Sequence, residues 1–319
     1  MEKFTVVVTE PIHEAGVQLL EREGVEVVFL PSGSNESSLQ ELAPSADALI
    51  TRGSIKVTRE IMTTSPRLKA IGVHGMGCDH VDLEAAEELG RVVFNTPTAL
   101  TETVAEMTIG MMLALTRRLV SADKAVRAGE WNRKYGDLRG TELMGKTVGI
   151  IGLGRIGAAV ARRLKPFEVK LIYHDVIRNL ELEEELGMEK VELDTLLREA
   201  NIVTLHVPYT PETHHLISGQ EIELMRDGVY IVNMARGRVI DQDSLIETLR
   251  GGKVAGAAFD VFEVEPLNAE SSLSSMDNVI LTPHLGASSM EALRRMAVQS
   301  AEGVLRVLRG EAPDHPVVI

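Results

Sequence analysis

Residues 147–175 read TVGIIGLGRIGAAVARRLKPFEVKLIYHD, and this stretch decides the fold. Gly152, Gly154 and Gly157 have the spacing G-x-G-x-x-G. They follow the apolar run Val148-Gly149-Ile150-Ile151 and open a helical pattern over Ala158–Leu164. In such a strand–turn–helix unit the first glycine makes the tight turn, the second lets backbone approach a pyrophosphate, and the third lets the helix pack on the strand. The amides of Arg155 and Ile156 then sit at a helix N-terminus, where anions are favoured. A second strand, Val169–Tyr173, ends in His174-Asp175, eighteen residues beyond Gly157. An acid there accepts hydrogen bonds from the adenosine ribose and repels a 2′-phosphate, so the pattern predicts NAD rather than NADP. Arg178, three residues on, is a cation that favours the opposite choice.

Outward from this unit the chain alternates β-branched runs with helical patterns, as parallel strands joined by crossover helices require. Before it, strands are expected at Thr5–Thr9, Val25–Leu30, Ala48–Thr51, Ala70–Val73 and Val92–Phe94, with helices such as Ile12–Glu23 and Leu83–Leu89 between them. One long helix is expected from Glu102 to about Ala128. Further strands are expected at Ile202–His206, Tyr230–Asn233, Ala255–Ala258 and Val279–Thr282, and a last helix over Met290–Leu308. About 100 residues of separate α/β pattern precede the glycine turn, so two α/β domains fit better than one oversized sheet. Periodicity leaves open which domain holds the last helix.

With 33 Lys and Arg against 47 Asp and Glu, the net charge of −14 disfavours phosphate backbones and anionic lipid as partners. An anionic substrate must then meet a locally basic pocket. The single cysteine, Cys78, rules out an intrachain disulfide and fits a reducing cytoplasm. The start, MEKFTVVVTEP, lacks the basic and apolar regions of a signal peptide. The most apolar helical run, Met107–Leu115, is too short to span a bilayer.

Three strand ends carry candidate chemistry: Asn233-Met234-Ala235-Arg236-Gly237, Phe259-Asp260-Val261-Phe262-Glu263-Val264-Glu265-Pro266 and Thr282-Pro283-His284-Leu285-Gly286-Ala287. Ligands of open α/β sheets bind beyond the carboxyl ends of strands. A guanidinium such as Arg236 can grip a carboxylate through two parallel hydrogen bonds. His284 has the titration range for moving a hydroxyl proton, and a carboxylate such as Glu265 beside it fixes the tautomer and favours the protonated ring. Each residue also has a plain structural use, as a strand-end ion pair, a surface acid or a capping histidine. His214 and His215 are adjacent and diverge on either a strand or a helix, which argues against a metal site, and no metal is expected. Trp131 reads as an interface or core anchor.

Together these motifs resemble the D-isomer-specific 2-hydroxyacid dehydrogenases, and most closely their phosphoglycerate dehydrogenase branch. The resemblance runs the length of the chain. It takes in Gly75-Met76-Gly77-Cys78-Asp79-His80-Val81-Asp82, Asn95-Thr96-Pro97, Val104-Ala105-Glu106, Gly140-Thr141-Glu142-Leu143 and His206-Val207-Pro208, besides the glycine turn and the three strand ends. It implies a flavodoxin-like substrate domain from residues 1–100 and 290–319, and a Rossmann NAD-binding domain from residues 101–289. Arg236 would anchor the substrate, His284 would be the acid/base and Glu265 its partner. Gly75, Met76 and Gly77 would cradle the substrate carboxylate. Val207, Pro208, Met234, Ala235, Asp260 and Gly286 would contact the cofactor. The segment Glu102–Thr141 would form a homodimer.

The favoured substrate pair is 3-phosphoglycerate and 3-phosphohydroxypyruvate, with Arg52 at a strand end to meet the phosphate. Val73 and His74 stand where an arginine often precedes the glycine loop, so a hydroxypyruvate or glyoxylate reductase is the alternative. Regulatory domains of longer relatives are not expected, because the chain stops at Ile319. NAD(H)-sensing co-repressors share the trio, and formate dehydrogenases put glutamine in place of Glu265.

Overall fold

The computed structural model describes Lys3–Val318; Met1, Glu2 and Ile319, the ends of the expected substrate-domain segments, lie outside the described residues. The chain divides into two compact units, Met1–Thr101 with Ala287–Ile319, and Glu102–Gly286.

The first unit holds β1 (Thr5–Val8), α1 (Glu14–Arg22), β2 (Glu26–Phe29), α2 (Glu36–Leu42), β3 (Ala48–Thr51), α3 (Arg59–Thr63), β4 (Ala70–Val73), α4 (Leu83–Glu88) and β5 (Val92–Phe94). The sheet is parallel, in the order β2-β1-β3-β4-β5. This is the flavodoxin-like order. Its central strands are continuous apolar runs because helices cover both faces. Val6, Val7 and Val8 are each 0% exposed, and one face packs Leu39, Ile61 and Met62 while the other packs Leu20 and Phe94.

The second unit begins within α5 (Pro97–Thr116) and continues with α6 (Leu119–Arg127), β6 (Thr147–Ile151), α7 (Arg155–Leu164), β7 (Lys170–His174), α8 (Leu180–Leu186), β8 (Glu189–Lys190), α9 (Leu193–Glu199), β9 (Ile202–Leu205), α10 (Gly219–Leu224), β10 (Val229–Asn233), α11 (Gln242–Gly251), β11 (Val254–Phe259) and β12 (Val279–Leu281). Its parallel order is β12-β11-β10-β9-β6-β7-β8. Read from β8, this is the 3-2-1-4-5-6 Rossmann order with one added strand, and it reverses between β6 and β9. The chain then returns to the first unit in α12 (Met290–Leu308). That helix packs along α1 and over β4, which settles the placement that periodicity left open. Val317 also donates its N–H to Val93 O at 2.8 Å, tying the tail to the edge strand.

Two expectations need correction. The single helix from Glu102 to Ala128 is two helices, broken at Arg117-Arg118, where Arg118 takes φ +52°. The carbonyl of Thr116 accepts the N–H of Thr141 at 2.9 Å, so a later segment replaces the next helical turn. The strand β8 was not expected: it is two residues long, Glu189 and Lys190, with no apolar alternation to betray it. No helix among the described residues is long and apolar enough to cross a membrane.

Candidate active site

The reversal point of the second sheet is built by glycine. Gly152 follows β6 at φ +92°, and a Cβ there would lie 2.8 Å from the carbonyl carbon of His206, beyond β9. A Cβ on Gly157 would lie 2.1 Å from Gly152 O. Only glycine permits either approach. Gly154 differs: it is the N-cap of α7, has no side-chain cap, and nothing lies within 4 Å of where its Cβ would be. The first-turn amides of Arg155 and Ile156 thus have no side-chain cap at the positive helix end.

Asp175 follows β7. Its Oδ2 accepts the N–H of Leu153 at 2.6 Å and its Oδ1 that of Ile177 at 2.9 Å, so the carboxylate is fixed against the glycine turn. A cleft of about 430 Å³ is lined by Leu153, Gly154, Asp175, Ile177, Arg178 and Leu180. An uncapped helix end joined to a cleft that ends on a fixed acid suits a dinucleotide, with its pyrophosphate at α7 and a ribose at Asp175. Next to the turn, His206 Nε2 lies 3.0 Å from Thr204 Oγ1, while its Nδ1 has no hydrogen-bond partner among the described residues. Burial pushes this imidazole down to about 3, so it is neutral at working pH. Val207 and Pro208 follow it, and Pro208 O accepts from Thr213 Oγ1 at 2.7 Å.

The three chemistry-bearing residues come together at the ends of β10, β11 and β12. His284 Nδ1 lies 2.8 Å from Glu265 Oε2. Both side chains are accessible, 52% and 37% exposed, as groups that meet a substrate must be. The other Glu265 oxygen, Oε1, accepts the N–H of Phe262 at 3.0 Å. Burial opposes ionisation of Glu265, but the hydrogen bond and charge of His284, the Phe262 amide and the charge of Arg236 outweigh it and hold the carboxyl below its ordinary range. Arg236 is partly buried and donates from Nη1 to Ala235 O at 2.7 Å. Its neighbour Gly237 passes so close to the next loop that a Cβ would lie 1.8 Å from the Phe262 carbonyl carbon. That approach brings the arginine turn against the segment that carries Glu265.

Buried polar side chains hold these turns. Asn233, 0% exposed, accepts the Ala235 N–H and donates to Arg236 O, both at 3.0 Å. Asp260, 2% exposed, accepts from Thr282 Oγ1 at 2.6 Å and from the N–H groups of Leu285 and Gly286, each at 2.7 Å. Its own carbonyl accepts the His284 N–H at 2.9 Å. His284 has φ +53°, a left-handed conformation that costs a non-glycine residue energy unless the surroundings impose it. Asp260 imposes it. The bracing roles of Asn233 and Asp260 were missed in the sequence, although an Asn or Asp at a strand end is a known turn former. Met234 and Ala235, expected at the cofactor, are 7% and 6% exposed, and Gly286 packs near Met234.

The remaining expected residues belong to the first unit, at the carboxyl ends of β3 and β4. Arg52 is exposed and donates from Nη1 to Pro11 O at 2.7 Å. Glu10 accepts the Arg52 N–H at 2.9 Å and the Ser54 hydroxyl at 2.6 Å. Although burial opposes it, the Ser54 and Thr9 hydroxyls and these amides hold Glu10 below its ordinary value. His74 is 4% exposed, and neither ring nitrogen finds a hydrogen bond among the described residues. Burial, helped by the charge of Arg52, pushes it down to about 4. Gly75 N donates to Thr96 Oγ1 at 3.1 Å and Asn95 Nδ2 to Met76 O at 2.8 Å, so the Gly75–Gly77 loop is braced from β5. His214 and His215 do not diverge: His215 has φ +49° in a loop, and the rings stack at 4.0 Å. Trp131 is 62% exposed and is therefore no core anchor.

A Rossmann sheet with a braced Arg–Glu–His group at its strand ends defines a dinucleotide-dependent dehydrogenase. Residues 109–286 match the model of the D-isomer specific 2-hydroxyacid dehydrogenase, NAD binding domain. Over 98% of its length the chain is 43% identical to a glyoxylate reductase of Thermofilum pendens, spanning 94% of that protein. It is also 43% identical, over 98% of its length, to a D-3-phosphoglycerate dehydrogenase of Methanocaldococcus jannaschii, of which it spans 59%. The crystal structure of the TT0316 protein from Thermus thermophilus superposes with a TM-score of 0.91 at 36% identity, covering 99% of this chain and 100% of that one. The chain belongs to the D-isomer specific 2-hydroxyacid dehydrogenase family and is an NAD-dependent oxidoreductase.

Proposed function

We propose that this enzyme interconverts a short D-2-hydroxy acid and its 2-oxo acid, with Arg236, Glu265 and His284 handling the acid. The observation that carries the reading is the 2.8 Å contact of His284 with Glu265 on a turn fixed by buried Asp260. Bound NAD would supply or take the hydride. Arg236 grips the substrate carboxylate and oxo group through its planar fork. With Nδ1–H donated to Glu265, the ring presents Nε2 to the substrate oxygen, where it gives a proton in reduction and takes one in oxidation. Ionised Glu265 accepts the Nδ1–H and so holds that tautomer. Gly152, Gly154, Arg155, Ile156, Gly157 and Asp175 bind the pyrophosphate and ribose. Val207, Pro208, Met234, Ala235, Asp260 and Gly286 flank the rest of the cofactor. Gly75, Met76 and Gly77 receive the substrate carboxylate.

For the substrate tail, an uncharged group fits best, as in glyoxylate or hydroxypyruvate. The support is local: Glu10, held ionised, accepts the backbone N–H of Arg52, and the neighbouring His74, which feels both charges, is neutral, so the positive charge there is partly offset. The near-full-length likeness to a glyoxylate reductase points the same way. A second reading, 3-phosphohydroxypyruvate, is favoured by the exposed Arg52 and by the likeness to a phosphoglycerate dehydrogenase. Initial rates with NADH against glyoxylate, hydroxypyruvate, pyruvate and 3-phosphohydroxypyruvate separate the two. The highest kcat/KM on a phosphorylated acid overturns the first, and binding of NADH without turnover of any overturns the reaction class.

The working form is a homodimer. Leu119, Val126, Trp131, Tyr135 and Met144 are 54–66% exposed along residues 119–144 of the second unit, apolar side chains that a subunit contact would cover. Light scattering tests this, and a monomer at micromolar concentration refutes it.

A further inference from the structure

The cleft beside Asp175 holds a contradiction. Asp175 suits a ribose with free hydroxyls, whereas a nearby arginine is the usual means of accepting a 2′-phosphate, and Arg178 lines the same cleft. The structure shows what Arg178 is doing. Its Nε donates to Glu183 Oε1 at 3.0 Å and its Nη2 to Glu183 Oε2 at 2.8 Å, a two-pronged contact. Glu183 also accepts the Tyr173 hydroxyl at 2.7 Å, and that oxygen accepts the Asn179 N–H at 3.0 Å. Tyr173 is 0% exposed on β7, the strand that Asp175 follows. The Glu183 side chain is 13% exposed and that of Arg178 62%. The acid is thus the fixed partner and the arginine the one drawn to it. The Arg178 and Tyr173 contacts hold the Glu183 carboxyl below its ordinary range, so it is charged at working pH.

We propose that Glu183 is a positioning residue for cofactor choice, a latch that folds Arg178 back and denies a 2′-phosphate its cation. Two effects add. The fork of Arg178 is spent on Glu183, and its charge is cancelled, leaving the charge of Asp175 unopposed in the cleft. A single strand, β7, therefore sets both determinants, Asp175 just after it and Glu183 through Tyr173. The inference rests on this cleft receiving the adenosine end of the cofactor.

The test is calorimetric titration of the purified protein with NAD⁺ and with NADP⁺, reading the ratio of the two Kd values. Asp175→Ala narrows the ratio. Adding Glu183→Gln, which can keep the Tyr173 hydrogen bond but not the charge, narrows it by about a further tenfold, the lower end for a charge-assisted contact regained. The gain is confined to NADP⁺, with the Kd of NAD⁺ within about twofold, since NAD⁺ has no phosphate for Arg178 to read. Adding Arg178→Ala to that double variant removes the gain. A gain that survives without Arg178, or a parallel weakening of both cofactors, overturns the latch. Should Glu183→Gln fail to fold, Glu183→Asp shortens the acid so that it loses the fork. It must move the ratio the same way by a smaller factor, and no movement overturns the proposal. If Asp175→Ala leaves both Kd values unchanged, the cleft is not the cofactor's, which is a failure of the site assignment and distinct from the outcomes above.

Discussion

Replacing Glu265 by Gln keeps the shape of the side chain and removes its charge. At the 2.8 Å separation from His284, the Coulomb attraction 332/(εr) is about 1.5 kcal/mol at a dielectric of ~80 and about 6 kcal/mol at ~20. The two side chains are 52% and 37% exposed, which places the pair toward the watery end. We therefore take about 1–2 kcal/mol, which is about five- to thirtyfold in rate. Reduction of the oxo acid needs the ring charged and oxidation needs it neutral. In Glu265→Gln the charged ring that reduction needs loses this partner, and the reductive kcat/KM falls by that factor. The Glu265 carboxyl is held below its ordinary value of 4.5, so its contribution is complete above that value and is lost only as pH falls through the lowered one. The assay is kcat/KM against pH in both directions. A reductive kcat/KM that does not fall in the Gln variant refutes the pairing of these residues as the proton-handling unit.

His284→Ala lowers kcat by about 10²-fold or more while the Kd of NADH is kept, because the glycine turn and Asp175 are untouched; near-normal turnover assigns the proton to another group. Asp260→Asn sets an amide N–H against backbone donors and must lose at least one hydrogen bond, which costs about 1–3 kcal/mol and lowers kcat as the His284 turn loosens; unchanged Tm and kcat contradict the bracing role. Arg52→Ala leaves glyoxylate turnover nearly unchanged and, if the phosphorylated acid is a substrate, raises its KM by about tenfold or more; loss on both alike makes Arg52 a support of the fold. His74 is neutral in the fold down to about 4, whereas an unfolded histidine takes up a proton below 6.5, so stability declines as pH falls from 6.5 to about 4; melting curves over that range are flatter for His74→Leu.

The strands of both sheets, apart from β8, were legible because a parallel strand covered on both faces must be an apolar run, and such runs stand out between helical patterns. The glycine turn was legible because Gly152 and Gly157 are sites where no other side chain fits. Arg236, Glu265 and His284 were legible as chemistry at strand ends. What decides their geometry was not. At the break after Thr116 the freed carbonyl is taken by Thr141, a contact twenty-five residues on that no local pattern reveals. The work of Asp260 depends on backbone N–H groups twenty-five and twenty-six residues away, and that of Glu183 on a tyrosine in another element. Stacking of His214 on His215 needed the left-handed turn at His215, which β and helical periods do not contain.

The way the chain threads its units bears on how it is made. The second unit, Glu102–Gly286, is one unbroken stretch and can close on itself as soon as it is complete. The first is not. Its sheet leaves the ribosome early, yet α12, which supplies Met296, Ala301, Val304 and Leu308 to the interior, comes only after the entire second unit. At roughly 5–20 residues per second, the apolar face that α12 will cover waits about ten to forty seconds. During that time the nascent protein carries an uncapped sheet alongside a finished neighbour. Ribosome-bound chains stalled before Met290 should therefore recruit hydrophobic-surface chaperones at β1, β3 and β4, and release them once α12 has emerged.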